Sequence, residues 1–331
     1  DGNQAGIVLD LPNGGSSGLV IEGFTIRNGY ADGNMGNYGS HNQGGGIHVG
    51  HNYNPVYLSD LIIENCTAVS GGAGGAGGVG GGLFSENSSL ELSNVQINNN
   101  SAVEKGGGIF FWGNPNDEYT LNIDNSNING NSSGDNGAGL YIAKSPYGSA
   151  IPIVQFSNTT VSNNICSNND GGGVSLNEVN ATFENCIISE NTAANGAGIN
   201  SVSSTVTVNN SSISDNVSSW EGGGIYCEGS SPILTNVTIS GNTATVDGGG
   251  VYLMNNSSPV MSHLTMSGNS CDNHGGGIFM KNNSNPSFSN SILWNDLPQE
   301  IYMEGSGGGG PNNVTIDHTN IQGGQDGIVP N

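Results

Sequence analysis

Positive charge is nearly absent from this chain: 4 Lys plus Arg stand against 27 Asp plus Glu over 331 residues, a formal net charge of −23. Such a surface repels phosphate backbones and anionic membranes, which excludes nucleic acid as a partner. Cysteine is scarce and odd in number, five in all with no Cys-x-x-Cys pair. Neither a disulfide framework nor a zinc ribbon is indicated, and the redox compartment stays open. No apolar run reaches the length of a membrane span, so no transmembrane segment is expected. Also missing is any stretch with apolar residues at helical spacing over three turns, while Gly, Asn and Ser dominate throughout, which argues against helices.

What the chain does have is repetition. A Gly-x-Gly block followed by Ile, Leu or Val returns nine times, with its third residue at Gly46, Gly82, Gly108, Gly139, Gly173, Gly198, Gly224, Gly250 and Gly277. From Gly173 onward the steps are 25, 26, 26 and 27 residues, too short for a domain and right for one coil of a solenoid. A second ladder, Ile-x-x-Asn-x-Ala, runs in phase: Ile97/Asn100/Ala102, Ile128/Asn131/Ser133, Val161/Asn164/Cys166, Ile188/Asn191/Ala193, Ile213/Asn216/Ser218, Ile239/Asn242/Ala244 and Met266/Asn269/Cys271. It weakens upstream to Ile63/Cys66/Ala68 and Ile26/Gly29/Ala31, and Ile292/Asn295 marks the coil after the last glycine block.

Within a coil the alternation has period two. Val237 and Ile239 point one way with Thr238 between them, and after Gly250 the alternation resumes at Val251, Tyr252 and Leu253. About three strands per coil, stacked in parallel at roughly 4.8 Å, give an all-β, single-stranded parallel β-helix of about ten coils of about 26 residues. The whole of 1–331 reads as one domain: an irregular first coil and loop over 1–43, regular coils over 44–295 with insertions in the N-terminal half, and an irregular last coil over 296–331. Asparagine in the ladder suits left-handed backbone and amide-to-amide hydrogen bonds from coil to coil. The outer two glycines of each block suggest positive φ or close packing, and Cys66, Cys166 and Cys271 read as small fillers.

The segments ISGNTATVDGGGVYL (239–253) and MSGNSCDNHGGGIFM (266–280) resemble the repeats of bacterial polymorphic outer-membrane proteins and autotransporter passengers. Those carry Phe-x-x-Asn paired with Gly-Gly-Ala-Ile; here Ile or Val stands for the Phe, and Gly mostly for the Ala. The resemblance spans roughly 18–300. It implies right-handed winding and an extracellular or cell-surface location associated with the outer membrane, on a scaffold shared by adhesins and some polysaccharide enzymes.

Candidate sites lie on the surface of the rod. Four insertions at coil corners, 30–43, 69–79, 112–119 and 144–151, place Trp112, Tyr119 and Tyr147 on loops, as rings of the kind that stack on sugars or anchor interfaces. The residue after each ladder aliphatic is expected to point outward. These are His48, Phe84, Phe110, Tyr141, Ser175, Asn200, Tyr226, Tyr252 and Phe279, six of nine aromatic, an exposed stripe for a glycan or partner protein. Beside it Asp170, Asn195, Glu221 and Asp247 precede successive glycine blocks, with Glu104 and Asp135 one place earlier in theirs. Calcium takes such oxygen ligands, which makes Asp170, Glu221 and Asp247 the metal candidates, although no calcium-loop motif is present.

A lyase acting on uronates needs cationic groups, and Arg27, Lys105, Lys144 and Lys281 sit on separate coils. A hydrolase needs only two carboxylates, which the acidic ladder offers, yet one per coil is how a ladder looks. No catalytic residue is therefore assigned. The reading is a secreted or surface-displayed bacterial β-helix, an adhesin or a structural envelope or fibre element, part of a longer passenger, with a surface glycan or a host or neighbour-cell protein as partner. The alternative is a polysaccharide-active enzyme, glycoside hydrolase or lyase, with its cleft among the N-terminal insertions. Strand-like sequence at both ends without a helical lid predicts further coils or head-to-tail self-association into a filament.

Overall fold

The computed structural model describes residues 1–11, 18–32, 43–50, 52–69, 77–113, 118–146, 148–305 and 310–330. The chain winds into a solenoid in which every strand pairs in parallel with its equivalent one coil away. Four sheets run the length of the rod, with 12, 11, 11 and 9 strands. Sheet I runs from Leu9–Leu11 to Ile328–Pro330, sheet II from Leu19–Glu22 to Thr315–Asp317, sheet III from Thr25–Arg27 to Asn320–Ile321, and sheet IV from Tyr30–Ala31 to Ser270–Cys271. Four strands per coil replace the three expected from sequence. The fourth is two residues long, as in Thr243–Ala244, too short for alternation to reveal. A single 3-10 turn, Gly324–Gly327, is the one helical element among the described residues, and no helix there is long and apolar enough to cross a membrane.

Register follows from side-chain volume and polarity. Ile239 pairs with Met266 and Thr238 with Thr265; Ile239 is fully buried whereas Thr238 is exposed. Repeating this choice coil after coil yields one continuous core of Ile, Leu and Val, with Phe156 and Phe183 stacked inside it at 4.5 Å between ring centroids.

The asparagine ladder is a continuous hydrogen-bonded column. Asn191 Oδ1 accepts from the backbone N–H and the Nδ2 of Asn164 at 3.0 and 2.9 Å. Asn191 Nδ2 in turn donates to the Val161 carbonyl and to Asn216 Oδ1. All seven ladder asparagines from Asn100 to Asn269 are buried, and six repeat this pattern in full; Asn100 Oδ1 accepts only the Cys66 N–H, at 3.0 Å, since a thiol stands at the rung before it. The left-handed position expected of them belongs to the residue before: Asn99 at φ 56°, Asn163 at 55°, Asp215 at 57°, and Gly in three other coils. The ladder asparagine must present its amide inward, so its predecessor makes the turn. For the same reason the last rung is Asp296, bonded to Asn269 at 2.7 and 2.8 Å, and the aliphatic is Leu293, fully buried. Ile292 faces out, and Asn295 takes the left-handed turn at φ 65°.

Both roles expected of the outer glycines occur, one at each. Gly248 has φ 70°, and a Cβ on Gly250 would stand 2.7 Å from the carbonyl oxygen of Gly277 in the next coil. The column of amides ends at a buried acid pair. Asp296 and Glu300 are each 3% exposed; Glu300 Oε1 accepts the Asp296 N–H at 3.2 Å. Asp296 Oδ2 and Glu300 Oε2 have no hydrogen-bond partner among the described residues. Burial, reinforced by Glu300, pushes the Asp296 carboxyl up to about 8.

Candidate functional site

The aromatic residues form two stacks on the outer side of sheet I. Phe84, Phe110 and Tyr141 follow His48 at centroid distances of 5.4, 5.3 and 5.4 Å. Tyr226, Tyr252, Phe279 and Tyr302 form the second, at 5.2, 4.9 and 5.6 Å. Ser175 and Asn200 interrupt them, joined by a 3.3 Å hydrogen bond. The expectation of an exposed stripe is wrong for most of these residues: Phe84, Phe110, Tyr226, Tyr252 and Phe279 are all buried, as are His48, Ser175 and Asn200. Alternation does turn them away from the main core. In-register stacking then covers each ring by its neighbours, so they form two satellite cores instead of a platform. Tyr119, expected on a loop, is buried in the main core. Tyr147 lies outside the described residues, as does most of the insertions at 30–43 and 69–79.

The acidic ladder turns to protein donors. Asp170 Oδ1 accepts from Asn195 Nδ2 at 2.8 Å, Glu221 Oε1 from the Tyr252 hydroxyl at 2.9 Å, and Asp247 Oδ1 from the His274 N–H at 3.0 Å. Burial pushes the Asp170 and Glu221 carboxyls up and, with Glu221 beside it, holds the Tyr252 hydroxyl protonated. Among the described residues no group of three His, Cys, Asp or Glu side chains converges in a way that could hold a metal ion. Asp170, Glu221 and Asp247 are members of separate hydrogen-bonded pairs.

The first stack does open onto solvent at one place. A groove of about 380 Å³ is lined by Phe84, Phe110 and Tyr141 together with Trp112 and Lys105. Trp112 meets Phe110 edge-on at 5.9 Å. Lys105 sits 4.9 Å above the Tyr141 ring, a cation–π contact, and 3.9 Å from Asp135. Lys144 also lines the groove, bonded to Glu178 at 2.6 Å, and Glu104 and Gln43 complete it. Two polar atoms of the lining, Trp112 Nε1 and Gln43 Oε1, are buried without a hydrogen-bond partner among the described residues. A buried donor and a buried acceptor left unmade cost about 1–3 kcal/mol each.

Sequence reasoning found four of these residues, Phe84, Phe110, Trp112 and Tyr141. It set aside Lys105 and Lys144 as scattered, named Glu104 only as part of the acidic ladder, and missed Gln43 and Glu178. The spacing did contain the signal: Lys144 and Glu178 are 34 residues apart, as are Tyr141 and Ser175, which pair across adjacent coils. Half of the chain's four cations therefore converge on one groove. Aromatic rings and paired charges together line this groove.

The sequence matches the family described as a right-handed β-helix region over residues 116–263 and again over 216–330, more than half of the chain. No curated protein and no solved structure shows significant similarity to it. The four parallel sheets and the two overlapping matches agree, and the chain belongs to the right-handed β-helix family.

Proposed function

We infer that the protein is a non-catalytic, surface-displayed β-helix that holds a glycan in the groove of Phe110, Trp112 and Tyr141, acting in adhesion or as an element of the cell envelope. The observation that carries this reading is the convergence in one groove of an aromatic floor with two Lys and two Glu side chains. The charges in the lining balance, so the ligand class favoured is a neutral saccharide bound by stacking and hydrogen bonds. The resemblance to outer-membrane passenger repeats supports display at a bacterial surface.

A glycan array followed by calorimetry on the best ligands tests this. The expected result is binding that Trp112→Ala weakens at least tenfold while thermal unfolding is unchanged. Failure to bind any neutral or acidic glycan would sink the reading. The enzyme alternative rests on Glu104 and Glu178 lining the same groove, since two carboxylates suffice for glycoside hydrolysis. Release of reducing ends that disappears in Glu178→Gln would establish it in place of simple binding.

A further inference from the structure

We propose that Asp296 and Glu300 form a proton-held latch, which keeps the coils after Asp296 docked on the rest of the rod and releases them as pH rises. The latch sits where the support of the fold changes. Sheet IV ends at Ser270–Cys271, and a single bridge from Ser270 to Leu297 continues that side. The coils over 297–330 are thus held through sheets I, II and III and through the amide column, whose last rung is Asp296.

The geometry of that rung calls for a proton. In the two coils before it, the Nδ2 of Asn242 and of Asn269 donates to the carbonyl of the aliphatic one coil back and to Oδ1 of the next rung. Asp296 Oδ1 accepts both bonds from Asn269, which leaves Oδ2 in the donor's place. A Cβ on Gly224 or Gly250 would meet Nδ2 of Asn242 or Asn269 at 3.1 or 3.3 Å, and one on Gly277 would meet Asp296 Oδ2 at 3.0 Å. Glu300, four residues on in the same coil, stands in for the next rung, because its Oε1 takes the Asp296 N–H. The following coil runs Gln322-Gly323-Gly324 after Ile321 and offers no ladder amide. A bare Oδ2 has no donor to accept from, whereas a protonated one supplies the donor that every other rung has. The pair is complete as one carboxylic acid and one carboxylate.

Glu300 is the ionisable group that acts on Asp296. The preceding coil faces the pair with Met266, Asn269 and Gly277, all uncharged. Cys271 and His274 of that coil bond to each other and to Asp247 instead, and Asp326, on the turn that follows, is exposed. When Asp296 releases its proton to solvent, two carboxylates share a site only 3% exposed, with no cation to relieve them. The smallest motion that separates them turns segment 296–300 towards water. That motion breaks the bonds from the Leu297 N–H to Asn269 and from the Ile278 N–H to Glu300, and with them the docking of the coils beyond. Coils of a solenoid hold only to their neighbours, so the opening stays local. In the open segment Asp296 regains its ordinary 3.8, against about 8 when docked. The open fraction therefore grows by up to tenfold per pH unit from about pH 4 and levels off above about 8.

Hydrogen exchange of the full chain between about pH 5 and 8, normalised for the intrinsic pH dependence of amide exchange, is the test. The expected result is a fall in protection of at least about tenfold in Ile301–Met303 and Asn320–Ile321, with Thr160–Ser162 and Ile187–Ser189 unchanged. Asp296→Asn supplies the donor at every pH and should hold the protection of all these strands level. Glu300→Gln, whose amide donates to an ionised Asp296, should flatten the dependence as well, so that if one variant fails to fold the other decides. Wild-type protection that does not vary with pH, that falls equally along the rod, or that falls in the variants as in the wild type would each overturn the proposal.

Discussion

The substitution Asp296→Asn should stabilise the protein at neutral pH and do little near pH 4. The native carboxyl titrates at about 8, against the ordinary 3.8 that it recovers on unfolding. Below about pH 4 both states hold the proton and the fold is at full strength in this respect. As pH rises towards 8 the native state keeps a proton that the unfolded state has released, so stability falls across that window and the loss is complete above it. At ~1.36 kcal/mol per pKa unit, the loss at pH 7 is about 4 kcal/mol as an upper bound. An amide at this position keeps the bonds from the Asn269 N–H and Nδ2, and every other rung donates its Nδ2 to the carbonyl of the aliphatic one coil back. The introduced amide would donate to the Met266 carbonyl in the same way. With an unfolding entropy of about 0.7 kcal/mol/K for a chain of this size, Tm should rise at pH 7 by up to about 6 °C. Calorimetry of both proteins from pH 4 to 9 should give curves that meet at the acid end and diverge towards alkaline pH. Parallel curves would refute the account of the buried pair.

Ile239→Asp should cost at least about 4 kcal/mol because a lone charge enters a dry core, whereas Thr238→Asp, one residue away and exposed, should stay within about 0.5 kcal/mol. Equal melting temperatures would show the register to be wrong. Asn191→Ala removes two accepted and two donated hydrogen bonds and should lower stability by roughly 3–5 kcal/mol in chemical denaturation. All five cysteines are free thiols, and burial pushes Cys66 and Cys271 up to about 11 and Cys227 up to about 12. A thiol reagent at pH 8 should therefore label almost nothing in the native protein and five sites in denaturant. Chelation should leave Tm unchanged at low ionic strength; a drop that Asp170→Asn with Glu221→Gln abolishes would establish calcium at these carboxylates.

Period and polarity made the core, the asparagine column and the glycine contacts legible in the sequence, because each depends on what a residue meets at the equivalent position one coil away. What was hidden depends on how high the neighbouring chain stands. Alternation gives the direction of Tyr252 correctly, away from Leu253 and the main core, but not the Glu221 carboxylate and the adjacent rings that close over it. The groove was half visible for the same reason. Trp112 and Tyr141 could be named from ring chemistry, while Lys105 and Gln43 reach it only because stacking brings distant positions within a few ångströms. The misplacement of Asn295 for Asp296 came from expecting amide chemistry at every rung, when a carboxylate oxygen accepts the same two hydrogen bonds.

Because each rung of the asparagine column touches only the rungs above and below, the length of this rod is divisible. Deleting residues 217–242 would bring Asn216 to face Asn269, seat the glycine block at 248–250 against the one at 196–198, and leave every remaining aliphatic pointing inward. The outer column would change too: Tyr252 would adjoin Asn200, and its hydroxyl would meet Asn195 in place of Glu221. A deletion of one residue inside Thr238–Ser240, by contrast, would send a threonine or serine into the core and break the column at that coil. Sequence change in this protein is therefore tolerated in whole turns of the chain and resisted in single letters.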